Sequence, residues 1–165
     1  KSFMMKIAGF LALFVLFYSA HSYVFNLDKY QASLNTWNNI KPSTYTYIQY
    51  IEPSLLEIEI TTTITLTDGK VVKRAYHYDD GETVTDWVED TPEEIGSHEE
   101  GFPALTLDQV YSQCVENVLV YDAVLLYIVN FKTFSNGLIK ECSFYPANAS
   151  DRPLGGVTLS EIQLA

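Results

Sequence analysis

The chain has 165 residues, close to half of them apolar, with 21 acidic against 10 basic residues and a net charge of −11. That balance argues against intrinsic disorder, which goes with few apolar residues, and against nucleic acids or anionic membrane surfaces as partners, since both are met by basic patches. Only two cysteines are present, so at most one disulfide is available within the chain.

At the start, Lys6 precedes Ile7, Ala8, Gly9 and an unbroken apolar run from Phe10 to Phe17, followed by Tyr18 to Ser22 with the small residues Ala20 and Ser22 two apart. This is the order of a secretory signal peptide, and cleavage is expected before Tyr23. The run is shorter than the roughly 20 residues a spanning helix needs. The expected organisation is therefore a signal peptide at 1–22 and one secreted domain at 23–165, extracellular or periplasmic, with no membrane span after cleavage. Losing residues 1–22 removes two lysines and no acids, leaving eight basic against 21 acidic residues, a net −13.

In chain order, Asn26 or Asp28 can cap a helix to about Trp37, because Tyr30, Leu34 and Trp37 share one face; Lys41 and Pro42 end it. A strand is expected over 44–51, rich in Thr, Tyr and Ile, and a second over 56–67, where polar and apolar residues alternate. Asp68 and Gly69 then turn the chain into a third strand over 71–78. From Asp79 to Glu100 there are ten acids and no Lys or Arg, which reads as an acidic insertion, with Thr91 and Pro92 starting a single helical turn. Thr106 and Gln109 form a capping box for a second helix ending at Asn117. Strands follow at about 120–131 and 138–145, and residues 156–164 alternate weakly, as an edge strand does. The expected fold is α+β: a single antiparallel sheet of about five strands with two helices packed on one face, in the order α-β-β-β-α-β-β.

Cys114 falls on the second helix and Cys142 on the last expected strand, so in an oxidising compartment a Cys114–Cys142 disulfide would staple helix to sheet. Trp37 closing the first helix, Tyr45 and Tyr47 opening the first strand, Asp68-Gly69-Lys70-Val71-Val72 at the hairpin and Leu105-Thr106-Leu107-Asp108 at the second helix together resemble a family of small secreted, mostly bacterial proteins known only as a domain of unknown function. The resemblance spans about residues 28 to 118 and implies fold and compartment. It implies no catalytic residue, and the acidic stretch and the cysteine positions depart from its pattern.

Among functional candidates, the acidic segment stands first. Hard cations take several carboxylate oxygens from one loop, so Asp79, Asp80, Glu82 and Asp86 are the candidate calcium ligands, although their spacing does not follow the EF-hand loop. No other cofactor is expected. His77 and His98, with nearby acids, are the residues on which a small extracellular hydrolase or a zinc site would rest, but no serine-hydrolase elbow accompanies them. Gly155 and Gly156 read as turn residues. Asn148-Ala149-Ser150 is a glycosylation sequon, meaningful if the source is eukaryotic. The tyrosines of the first strand read as a packed sheet face. The preferred expectation is a secreted non-enzymatic module that binds a protein, peptide or glycan, possible cation dependence residing in its acidic loop; the alternatives are a small hydrolase and a structural envelope component.

Overall fold

The computed structural model describes residues 26–51, 58–122, 124, 126–148 and 153–165. The expected signal peptide at 1–22 lies outside the described residues. Residues 26–40 form helix α1. Strands β1 (Tyr45–Ile51), β2 (Glu59–Thr67), β3 (Lys70–Asp79) and β4 (Val84–Glu89) precede helix α2 (Leu107–Asn117) and a 3-10 turn at Leu119–Tyr121, and β5 (Tyr127–Thr133), β6 (Ile139–Pro146) and β7 (Gly155–Leu164) complete the chain. One sheet runs β4-β3-β2-β1-β7-β6-β5, antiparallel at every junction.

The expectation of about five strands in the order α-β-β-β-α-β-β is therefore corrected to seven strands with two helices. One added strand, β4, lies inside the supposed acidic insertion, where charged residues mask a short alternation around Trp87. The other is β7, expected at most as an edge strand. It sits in the interior between β1 and β6, where Leu159 is fully buried and Val157 nearly so. The expected strand at 120–131 is also corrected: its first residues belong to the 3-10 turn, held where Asn26 Nδ2 donates to Asp122 Oδ2 at 2.9 Å, and pairing begins only at Tyr127. A continuous run of Val, Leu and Tyr carries no period by which to place that boundary.

Local chemistry explains the elements that form as expected. Asp68 (φ 51°) and Gly69 (φ 71°) both take the left-handed conformation, as a two-residue turn between right-twisted strands requires. At the start of α2, the Thr106 side chain accepts from the Gln109 N–H while the Gln109 side chain accepts from the Thr106 N–H. Both helices cover the same sheet face. Trp37 of α1 meets Tyr45 edge-on, with ring centres 5.1 Å apart, and Tyr30 meets Phe131 of β5 in the same way at 5.8 Å. The aromatic and apolar residues of β1 divide between faces: Tyr45 and Tyr47 are core residues under the helices, whereas Ile48 and Tyr50 point to the opposite face, beside the Thr61, Thr63 and Thr65 row of β2.

Gly155 and Gly156, expected in a turn, are instead paired strand residues of β7. Gly156 adopts φ 118°, and a Cβ there would lie 2.1 Å from the Cys142 carbonyl oxygen and 2.6 Å from Ser143 Cα. Backbone cannot yield as a side-chain tip can. Gly156→Ala is expected to cost roughly 3 kcal/mol or more by combining overpacking with an unfavourable φ; urea denaturation measures it, and a loss under 1 kcal/mol would contradict the tight β6–β7 approach.

Candidate functional site

The acidic segment is largely structural, and one carboxylate organises it. Arg74 of β3 and Glu89 of β4 are cross-strand partners on the helix-facing side, both almost completely buried, with Arg74 Nη1 3.1 Å from Glu89 Oε1. Glu89 also accepts from the backbone N–H of Gly96 (2.7 Å) and of His98 (2.8 Å), and its Oε1 lies 3.0 Å from His98 Nδ1. Arg74 donates in turn to the carbonyls of Phe102, His98 and Glu100. The pair thus fastens the strap 90–102 over the end of the sheet that the helices leave uncovered. Burial acts to raise the Glu89 carboxyl, but the hydrogen bonds from His98, Gly96 and Arg74 outweigh it and hold the group down to about 2. Above it, Tyr76, Trp87 and His98 stack, with ring centres 5.1 and 4.3 Å apart, and the Arg74 guanidinium lies 4.7 Å from the Trp87 ring centre.

The four expected calcium ligands are distributed along the β3–β4 turn and the outer sheet face. Asp79 accepts from the Gly81 N–H, Asp80 from the N–H groups of Glu82 and Thr83 and from the Tyr78 hydroxyl, and Asp86 pairs with His77 at 2.7 Å. Glu82 is exposed at the tip of the turn. Those bonds hold Asp80 below the usual carboxylate range, led by the Thr83 N–H. Among the described residues no three or more His, Cys, Asp or Glu groups are arranged to hold one metal ion.

The two histidines do not converge. His77 faces Asp86 on the outer face, whereas His98 stacks on Trp87 on the helix-facing side; Asp86 and Trp87 are successive residues of β4, so their side chains leave opposite faces. A hydrolase built on both histidines has no geometry here. Asn148 is exposed just beyond β6. Cys114 of α2 and Cys142 of β6 form the disulfide, with Cα atoms 5.8 Å apart.

That disulfide forms one wall of a cavity of about 170 Å³ between α2 and the sheet. The cavity has a local cause. Tyr45 and Tyr47 reach up from β1 to tie down the start of α2: the Tyr45 hydroxyl accepts from the Leu107 N–H at 3.0 Å, and the Tyr47 hydroxyl donates to the Leu105 carbonyl at 2.7 Å. Burial pushes the Tyr47 phenol far up, so it stays a neutral donor. The next residue of the same inward row is Gln49, which is shorter than tyrosine, and beside it the β1–β7 register shifts between Ile48 and Gln49. The gap opens there. Val110, Val118, Leu105 and Val157 supply an apolar wall, Phe102 of the strap and Pro103 just after it close one end, and the exposed Gln113 and Asn117 border it. No ionisable side chain lines it among the described residues.

Compared with protein-family models, curated proteins and solved structures, the chain matches none. The resemblance noted in its sequence stands on those short motifs alone and contributes nothing to the site. Of the residues that now carry the argument, Gln49, Arg74 and Glu89 drew no attention in the sequence. Two signals were present: a lone amide in the inward phase of a Tyr-x-Tyr strand, and a basic residue in phase with an acid across a hairpin.

Proposed function

We propose that this chain is an exported, non-enzymatic ligand-binding module whose binding site is the cavity between α2 and the sheet, with the acidic strap serving as one of its walls. The observation that carries the reading is the make-up of the cavity: an apolar chamber with a few side-chain amides and no acid, base or nucleophile, which suits holding a neutral molecule and offers no group for proton or acyl transfer. Export is supported by the signal-like residues 1–22 and by the disulfide; no helix among the described residues is long and apolar enough to cross a membrane.

A nuclear magnetic resonance titration tests the binding reading, using neutral fragments of about six to ten non-hydrogen atoms, the size a cavity on this scale admits, alongside charged ones. Neutral fragments are expected to shift the Val110 and Val157 methyl resonances. Fragments that shift only the Thr61, Thr63 and Thr65 face, or nothing, would remove it. For export, mass spectrometry of protein recovered from the extracytoplasmic fraction is expected to find an N-terminus at Tyr23, and recovery in the cytoplasm with residues 1–22 intact would contradict it.

A further inference from the structure

An open sheet has two edges, and this fold treats them differently. At the β5 edge α1 covers the strand: Tyr30 packs on Phe131, and Asn26 Nδ2 donates to the Val129 carbonyl at 3.3 Å. The β4 edge has no such cover among the described residues. In the β3–β4 hairpin the Asp80 N–H donates to the Thr83 carbonyl, which fixes the phase of the ladder. The bonded pairs are then Tyr78 with Thr85, Tyr76 with Trp87 and Arg74 with Glu89. Val84, Asp86 and Val88 therefore aim their N–H and C=O groups away from β3, and among the described residues nothing takes them. Their side chains lie on the sheet face opposite the helices. Val84 is 59% and Val88 51% exposed there, and the Asp86 side chain between them is 64% exposed although its Oδ1 holds His77. No Lys or Arg occurs from Asp79 to Glu100, and Asp79, Asp80, Glu82 and Asp90 flank the strand. Lys73, exposed on the same face, lies past the last pair of the hairpin.

We propose that the β4 edge is a docking strand for an extended basic segment of another protein, which adds to the sheet beside β4. An added strand bonds the free N–H and C=O groups of Val84, Asp86 and Val88 and lays alternate side chains against theirs. The edge thus selects an alternation of apolar, basic and apolar residues, with the Lys or Arg opposite Asp86 and the apolar pair against Val84 and Val88. A second copy of the chain fits less well. Pairing β4 with β4 about its middle sets Asp86 against Asp86, and like charges directly opposite repel. Pairing β4 with β5 meets the edge that α1 covers. A charge on an edge strand is a common guard against stray pairing. Here that guard turns away acidic strands and copies of itself and admits a basic one. No β4 residue lines the cavity between α2 and the sheet, so the two surfaces are separate.

The experiment titrates the folded protein with a capped peptide, Ser-Thr-Val-Thr-Lys-Thr-Val-Thr-Ser, with the same peptide carrying Glu for Lys, and with the lysine peptide N-methylated along its central residues, which keeps the charge and blocks the ladder. Backbone amide resonances and hydrogen exchange at Val84, Asp86 and Val88 are read. The lysine peptide is expected to shift these amides and slow their exchange, to bind at least about fivefold more tightly than the glutamate peptide, and to lose binding on N-methylation. Asp86→Lys, a change at an exposed position, is expected to reverse the preference between the lysine and glutamate peptides. Undiminished binding of the N-methylated peptide would mean charge attraction without strand addition. The glutamate peptide binding as tightly as the lysine one would remove the basic partner, and shifts at these amides that grow with protein concentration alone would assign the edge to a second copy. Each of these overturns the proposal, as does the absence of shifts with all three peptides. The peptide comparisons use the natural chain, so they stand whether or not the variant folds.

Discussion

Replacing Glu89 by Gln is expected to lower the stability of the whole domain by about 3–5 kcal/mol, the usual loss when one partner of a buried ion pair is removed. For a chain of this size that is a fall in melting temperature on the order of 10 °C. The shape of the side chain survives, but Arg74 is left buried without its counter-charge, and the N–H groups of Gly96 and His98 lose a charged acceptor. Neighbouring acids give the control: Asp90 and Glu99 are exposed, and amide substitutions there are expected to change stability by less than about 0.5 kcal/mol. Hydrogen exchange at Gly96 and His98 should accelerate in Glu89→Gln alone. Equal effects at all three positions would show that the strap is held by overall charge and not by this one carboxylate. Acid titration reports the same group. Because its folded-state value is depressed to about 2, its stabilisation is complete above the ordinary carboxylate value and drains away as pH falls from there towards 2. Glu89→Gln should flatten that part of the stability curve.

Removing the Cys114–Cys142 disulfide by paired Ala substitutions is expected to cost about 3–4 kcal/mol. The bond closes a loop of 28 residues, and the unfolded chain gains back the freedom that this closure withholds. Both sulfurs are also core atoms, at most 1% of either residue being exposed, and both line the cavity. Reduction by dithiothreitol in urea should therefore shift the unfolding midpoint of the natural chain and leave the double Ala variant where it was. Fragment binding at the Val110 and Val157 methyls should weaken in parallel, since this bond is the covalent tie between the middle of α2 and the sheet beside the cavity, where the Tyr111 hydroxyl adds one hydrogen bond from the Ile139 N–H. A midpoint that does not move on reduction would mean that the tyrosine hydroxyls of β1 and the capping box suffice to hold α2 in place.

Most of what is local in this fold is legible in the residue order. Asp68-Gly69 demands a tight turn because both positions need a left-handed backbone, Thr106 and Gln109 cap a helix by bonding each other's N–H groups, and two cysteines on neighbouring elements can pair. Illegible features share a different cause. Strand β4 sits among acids whose charge hides its alternation, yet Trp87 and Glu89 turn inward as soon as β3 offers Tyr76 and Arg74 opposite them. Strand β7 has a weak pattern because its exposed and buried positions are interrupted by a bulge and by Gly155 and Gly156, and nothing within those ten residues tells an edge from a centre.

By itself, then, the sequence determined an acidic α+β chain with a signal-like start, one disulfide, one two-residue hairpin and one capped helix, all consequences of interactions between residues close in the chain or of composition. Tertiary structure alone decided the rest. It selected Glu89 from ten acids by setting Arg74 across from it, sent His77 and His98 to opposite faces, placed β7 in the interior of the seven-stranded sheet between β1 and β6, and left Gln49 lining a cavity. Each of those depends on which strand lies beside which, and that pairing is settled by the packing of the whole core.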